Sequence, residues 1–125
     1  MNANQINSLV LAYLGDAIYE LYVRNFLIKE GINKVNDLQK AAVGFVSARA
    51  QALFLKQLLE SNALTDEEID IVKRARNAKS LSHPKSVDIL TYKHATALEA
   101  LIGYLYIEKN TERIDFIMKG ILGDN

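Results

Sequence analysis

The stretch LAYLGDAIYELYVR, residues 11–24, decides the fold class. In and around it the apolar positions run Ile6, Leu9, Val10, Tyr13, Leu14, Ala17, Ile18, Leu21 and Tyr22. Steps of three and four residues place them on one stripe of an α-helix, and Gly31 offers a stop beyond it. Inside the stripe sits Asp16. A carboxylate buried among apolar side chains loses its hydration, so this position calls for a cation unless Asp16 caps a helix or pairs with a lysine or arginine. Gly15, immediately before it, permits the close approach of another backbone or a ligand.

Outward from this helix the spacing stays helical. A short helix covers Asn36 to Gly44. Ser47 caps a longer one carrying Ala48, Ala52, Leu55, Leu58 and Leu59, which ends near Asn62. Thr65 and Glu68 form a capping box that opens a helix with Ile69 and Val72 facing inward. A long apolar helix follows from Asp88 to Glu108, and Thr111 caps a last one carrying Ile114, Ile117, Met118 and Ile121. Only between Asn77 and Val87, around the single proline Pro84, does the apolar period vanish. The expectation is an all-α bundle of about six helices forming one domain over residues 1–125, with no internal repeat or linker.

Composition narrows the chemistry. With 125 residues, half of them hydrophobic, the chain can bury one sizeable core. The absence of cysteine removes disulfides, thiolate metal sites and cysteine nucleophiles from consideration. The first twenty residues lack a basic start followed by an apolar core, and no stretch has the uninterrupted apolar length of a membrane span. A soluble, cytoplasmic protein with no membrane partner is expected. Fifteen basic residues balance fifteen acidic ones, which excludes a uniformly basic coat but not a local patch.

Three features can carry chemistry. Asp16 is the first, and Glu99 is the second, the sole carboxylate between Asp88 and Glu108, surrounded by Leu98, Leu101, Ile102, Leu105 and Tyr106. Each acid taken alone has an ordinary explanation as a structural ion pair. Two of them on two apolar helices, however, can supply the oxygen ligands that a hard cation such as magnesium prefers, provided the helices pack together. The third feature is VKRARNAKSLSHPKSV, residues 72–87, with Lys73, Arg74, Arg76, Lys79 and Lys85 and no acid. Complementing a helix dipole explains the first three of these and explains Lys79 and Lys85 less well. Asn77, Ser80 and Ser82 add neutral hydrogen-bonding groups, a mixture suited to phosphate and ribose contacts.

Other residues point less sharply. Arg49, Gln51 and Gln57 read as solvated positions opposite or beside the apolar face of their helix, and they could also border a bound nucleic acid. His83 and His94 lack ligand spacing for zinc. The run Asp66, Glu67 and Glu68 reads as the acidic first turn of a capped helix.

LGDAIYELYVR, residues 14–24, resembles the helix of ribonuclease III catalytic domains that carries the LGD element. ALEALIGYLYIEK, residues 97–109, resembles their second signature. Together with VSARAQA and KRARNAKS between them, the chain is similar to the compact, catalytic-domain-only branch, Mini-ribonuclease III. That resemblance implies a ribonuclease III-like helical fold and a homodimer whose interface forms a cleft for double-stranded RNA. It also implies phosphodiester hydrolysis that depends on Mg2+, for which Mn2+ can substitute, leaving 5′-phosphate and 3′-hydroxyl ends. The implied physiological substrate is precursor large-subunit ribosomal RNA.

By the same resemblance Asp16 and Glu99 are the catalytic metal ligands. Arg49, Lys73, Arg74, Arg76, Asn77, Lys79 and Lys85 are the expected RNA contacts. No separate double-stranded-RNA-binding domain is expected, so grip comes from the cleft and the basic patch, supplemented by a ribosomal protein bound to the substrate. Larger members carry two further carboxylates where this chain has Ala12 and Thr96. The implied centre is therefore poor in carboxylates and binds at most one ion tightly without RNA. The alternatives are a non-catalytic RNA-binding module on the same fold and a helical adaptor that binds protein through an apolar face.

Overall fold

The computed structural model describes residues 2–79 and 84–123. Among the described residues a 3-10 turn, Ala3–Gln5, precedes six helices, and there is no strand. The helices are α1 (Ser8–Lys29), α2 (Val35–Val46), α3 (Ala48–Glu60), α4 (Asp66–Arg76), α5 (Ile89–Ile107) and α6 (Thr111–Leu122). Ser80, Ser82 and His83 of the basic segment lie outside the described residues.

Local chemistry sets most helix ends. Ser47 closes α2 and caps α3 by accepting the Ala50 N–H, and Asn62 follows α3 with a left-handed φ of 55°. The Thr65–Glu68 capping box is present, and Gly31 takes a left-handed φ of 96° just beyond α1. The last helix corrects one expectation. Its cap is Asn110, whose side chain accepts the Arg113 N–H, and Thr111 is the first helical residue. Asparagine in the preceding position offers the better-placed oxygen.

Helix α5 is the axle of the bundle. Ten consecutive or near-consecutive residues from Ala95 to Leu105 are buried, on every side of the helix, because α1, α3, α4 and α6 all pack against it. Its most extensive partner is α1. There the side chains vanish: a Cβ on Gly15 would sit 1.7 Å from the Glu99 carbonyl oxygen, and one on Gly103 would sit 2.0 Å from the Leu11 carbonyl oxygen. Two glycines, one from each helix, let the backbones touch.

That contact also corrects the reading of α1. Of the expected stripe, Val10, Tyr13, Ala17 and Leu21 face out and Leu9, Leu14, Ile18 and Tyr22 are half-buried, while Leu11, Ala12, Gly15, Tyr19, Val23 and Leu27 form the buried face. Apolar residues occur nearly all round α1, so periodicity alone offers two faces. The glycine decides between them, because only its side of the helix admits α5.

Helix α6 is locked on by a buried ion pair. Glu68 is 3% exposed, and Arg113 donates to both its oxygens, at 2.8 and 2.6 Å, and to the Ala63 carbonyl at 2.9 Å. The Arg113 guanidinium also lies over the Phe116 ring. Glu68 is thus more than a first-turn charge. Burial opposes its ionisation, but the bonds from Arg113 and Thr65 prevail and hold its carboxyl below the ordinary glutamate value. Arg113→Met should cost about 3 kcal/mol by stranding a buried carboxylate, read from urea unfolding at pH 7. The deficit should shrink as pH falls below the unfolded glutamate range, where Glu68 is protonated without its partner. An unchanged midpoint would show that the pair contributes nothing.

Candidate active site

The Gly15–Glu99 backbone contact has a direct chemical outcome. Asp16 follows Gly15 on α1, Glu99 supplies the carbonyl that Gly15 meets, and the two side chains come within hydrogen-bonding contact. Burial, then a hydrogen-bonding contact with Asp16 and the Asp16 charge, push the Glu99 pKa up to about 8, with Glu20 adding to the effect. Asp16 itself is exposed, which corrects the expectation that it is buried; it lies beside the outward face of α1. Glu99, from the axle helix, is the recessed member of the pair.

Gln51 is the residue that sequence reasoning misplaced. It is 3% exposed, and its Nε2 donates to Glu99 Oε2 at 3.4 Å. The overlooked signal is register: Gln51 stands four and seven residues before Leu55 and Leu58, on the buried stripe of α3. Tyr19, one turn beyond Gly15, is fully buried and donates to the Phe45 carbonyl at 2.7 Å, tying α2 to the floor of the site. Burial and the neighbouring Glu99 charge raise the pKa of its phenol, which stays protonated.

The donor set suits a hard cation that keeps much of its own shell. Two carboxylates are present, one exposed and one recessed, and magnesium is commonly held by one or two carboxylates with water or phosphate in its other positions. Among the described residues no group of three or more His, Cys, Asp or Glu side chains could hold a metal. Ala12 and Thr96 are both buried, and the Thr96 hydroxyl donates to the Tyr92 carbonyl at 2.9 Å. Neither position offers a ligand.

Residues 9–110 match the Ribonuclease III domain family. The chain belongs to the ribonuclease III family. It is 53% identical over 116 residues to Mini-ribonuclease 3 of Brevibacillus brevis, covering 93% of this chain and 85% of that protein. It is 44% identical over 117 residues to the Staphylococcus aureus Mini-ribonuclease 3, covering 94% and 87%. A crystal structure of a Fusobacterium nucleatum protein superposes with a TM-score of 0.85 at 38% identity, over 95% of each chain. The chain is an endoribonuclease of the ribonuclease III type.

Around this pair of acids the expected RNA contacts divide. Arg49, Lys73, Asn77, Lys79 and Lys85 are exposed, and Arg76 is half-buried. Arg49 stands two residues before Gln51, at the end of α3 that reaches Glu99. Arg74 has other work: it donates to the Asn4 carbonyl at 2.8 Å, the Ile6 carbonyl at 3.4 Å and the Ser8 hydroxyl at 3.3 Å. It pins the N-terminal segment to α4. Ser8 is roughly 12 Å along α1 from Asp16 at a rise of about 1.5 Å per residue, which sets the spacing between the root of the basic segment and the acids. Among the described residues no helix is long and apolar enough to cross a membrane.

Proposed function

We propose that this ribonuclease III-type enzyme is a homodimer that hydrolyses phosphodiester bonds of double-stranded RNA with a divalent cation, magnesium or manganese, held by Asp16 and Glu99. The observation that carries the reading is the pair itself. A recessed carboxylate that retains its proton to about pH 8 beside a second carboxylate is poised to exchange that proton for a cation. When bound, the cation supplies a lowered pKa for the attacking water and offsets charge on the phosphate. Asp16, on the exposed side, faces incoming substrate. Glu99 holds the recessed side, and Gln51 and Tyr19 pack the floor beneath it.

Grip on the duplex comes from Arg49, Lys73, Arg76, Asn77, Lys79 and Lys85. Phosphate contacts of this kind weaken steeply with salt. The proposed natural substrate is precursor large-subunit ribosomal RNA, with a ribosomal protein on the substrate aiding recognition. This finer reading rests on the likeness to the compact branch. The deciding experiment incubates the purified protein with a long RNA duplex and with the matching single strand. Cleavage of the duplex alone, present with magnesium, lost with a chelator and yielding 5′-phosphate ends, is expected. Binding without any cut in magnesium or manganese would leave a non-catalytic RNA-binding module.

The dimer reading draws on the outward face of α1. Tyr13 is 85% exposed, and Val10, Leu21 and Ile28 on the same face are also exposed, an apolar surface that a second copy can cover. Tyr13→Arg combined with Leu21→Arg should convert a protein sedimenting at twice the chain mass into a monomer. Sedimentation of the variant as a dimer would move the interface elsewhere.

A further inference from the structure

We propose that Gln51 is a positioning residue for the cation-holding carboxylate, acting through Glu99 on how tightly the cation is held; the inference rests on the proposed metal-dependent activity. Gln51 occupies a core register of α3, in line with Leu55 and Leu58, where a leucine would extend the apolar stripe. A glutamine there has to desolvate an amide, which is unfavourable unless the amide has a purpose its neighbours lack. Its Nε2 points at Glu99 Oε2. At 3.4 Å that bond is long and contributes little to stability as it stands.

The same geometry is well suited to orientation. The last torsion of a glutamate side chain is broad, so an isolated carboxylate rotates freely about it. A donor anchored in the core and held against one oxygen restricts that rotation and leaves the rest of the lone-pair set for Asp16 and the cation. An apolar residue of equal size would pack as well and leave the carboxylate free to rotate. Hydrogen-bonding partners of metal-binding side chains are commonly worth 10- to 100-fold in metal affinity or activity.

The test compares wild type with Gln51→Leu and Gln51→Met, both close in volume and both lacking the donor. Uptake of Mn2+ by the RNA-free protein is followed by loss of the free-ion electron paramagnetic resonance signal. Thermal unfolding and the kinetics of duplex cleavage at limiting and saturating Mg2+ are measured on the same samples. The expected result is Mn2+ affinity and limiting-Mg2+ kcat reduced about 10- to 100-fold, with the KM for RNA within about two-fold of wild type and the unfolding temperature unchanged or raised. Wild-type metal uptake and kinetics in both variants would overturn the role, and so would loss of the fold in both, which would make Gln51 a structural residue. A wild-type protein that neither takes up Mn2+ nor cuts the duplex would instead sink the functional reading, and that result is visible without either variant.

Discussion

Asp16→Asn or Glu99→Gln should reduce cleavage of duplex RNA by about 10³-fold or more while the protein stays folded, on the scale of removing a principal charge-stabilising group. Each substitution keeps the shape of the side chain and deletes a negative oxygen ligand. The effects on stability should differ between them. Asp16 is exposed, so its amide variant should unfold within about 0.5 kcal/mol of wild type. Glu99 is recessed beside Asp16, and its pKa of about 8 lies above the unfolded glutamate value of 4.5.

Between about pH 4.5 and about pH 8 the folded metal-free protein therefore keeps a proton that the unfolded chain has already released. Stability falls through that window, by up to about 1.4 kcal/mol per pH unit from this group. Glu99→Gln cannot lose that proton. The variant should thus be more stable than the metal-free wild type, by a margin that widens from pH 5 to pH 8, while Mg2+ should protect the wild type most at the upper end. Urea unfolding across that range, with and without Mg2+, checks each part. Normal cutting rates in both variants would remove the two acids from the active site.

Gly15→Ala should be the most damaging single methyl in the molecule. Its Cβ would lie 1.7 Å from the Glu99 carbonyl oxygen, 2.6 Å from the carbonyl carbon and 2.9 Å from the Gly103 nitrogen, all backbone atoms of the axle helix. No side chain can swing aside to make room, so α1 and α5 must move apart, and the core they share opens with them. The expected cost is at least about 4 kcal/mol, with unfolding or loss of activity beyond what the remaining folded fraction explains. Gly103→Ala meets the Leu11 carbonyl at 2.0 Å and should behave alike. Gly44→Ala and Gly120→Ala, where the added Cβ meets nothing within 4 Å, are the controls. Wild-type stability for Gly15→Ala would mean that the helices do not touch there.

Much of this molecule was legible in the chain. Helix type, number and most ends followed from short-range rules: Ser47 and Thr65 cap because their oxygens reach N–H groups a few residues away. Those distances are set locally. The two signature stretches marked Asp16 and Glu99 as the acids to watch, since isolated carboxylates in apolar helices are costly whatever the fold.

What the local rules could not settle was which side of an apolar helix faces in. On α1 the sequence offered a stripe running from Ile6 to Tyr22, and packing turned its Val10, Tyr13, Ala17 and Leu21 outward because the helix is apolar nearly all round and a single glycine admits α5. Asp16 turned outward with that choice. Gln51 was read as solvated because polarity ordinarily means exposure, yet its register with Leu55 and Leu58 carried it into the core and onto Glu99. Arg74 likewise looked like one more phosphate contact until the N-terminal segment folded across it.

By itself, then, the sequence determined which segments are helical, where they stop and which two acids stand out, because each depends on residues within a turn or two of one another. The meeting of those acids, and the glutamine beneath one of them, were decided only by tertiary structure, because they depend on how closely two helix backbones distant in the chain can approach.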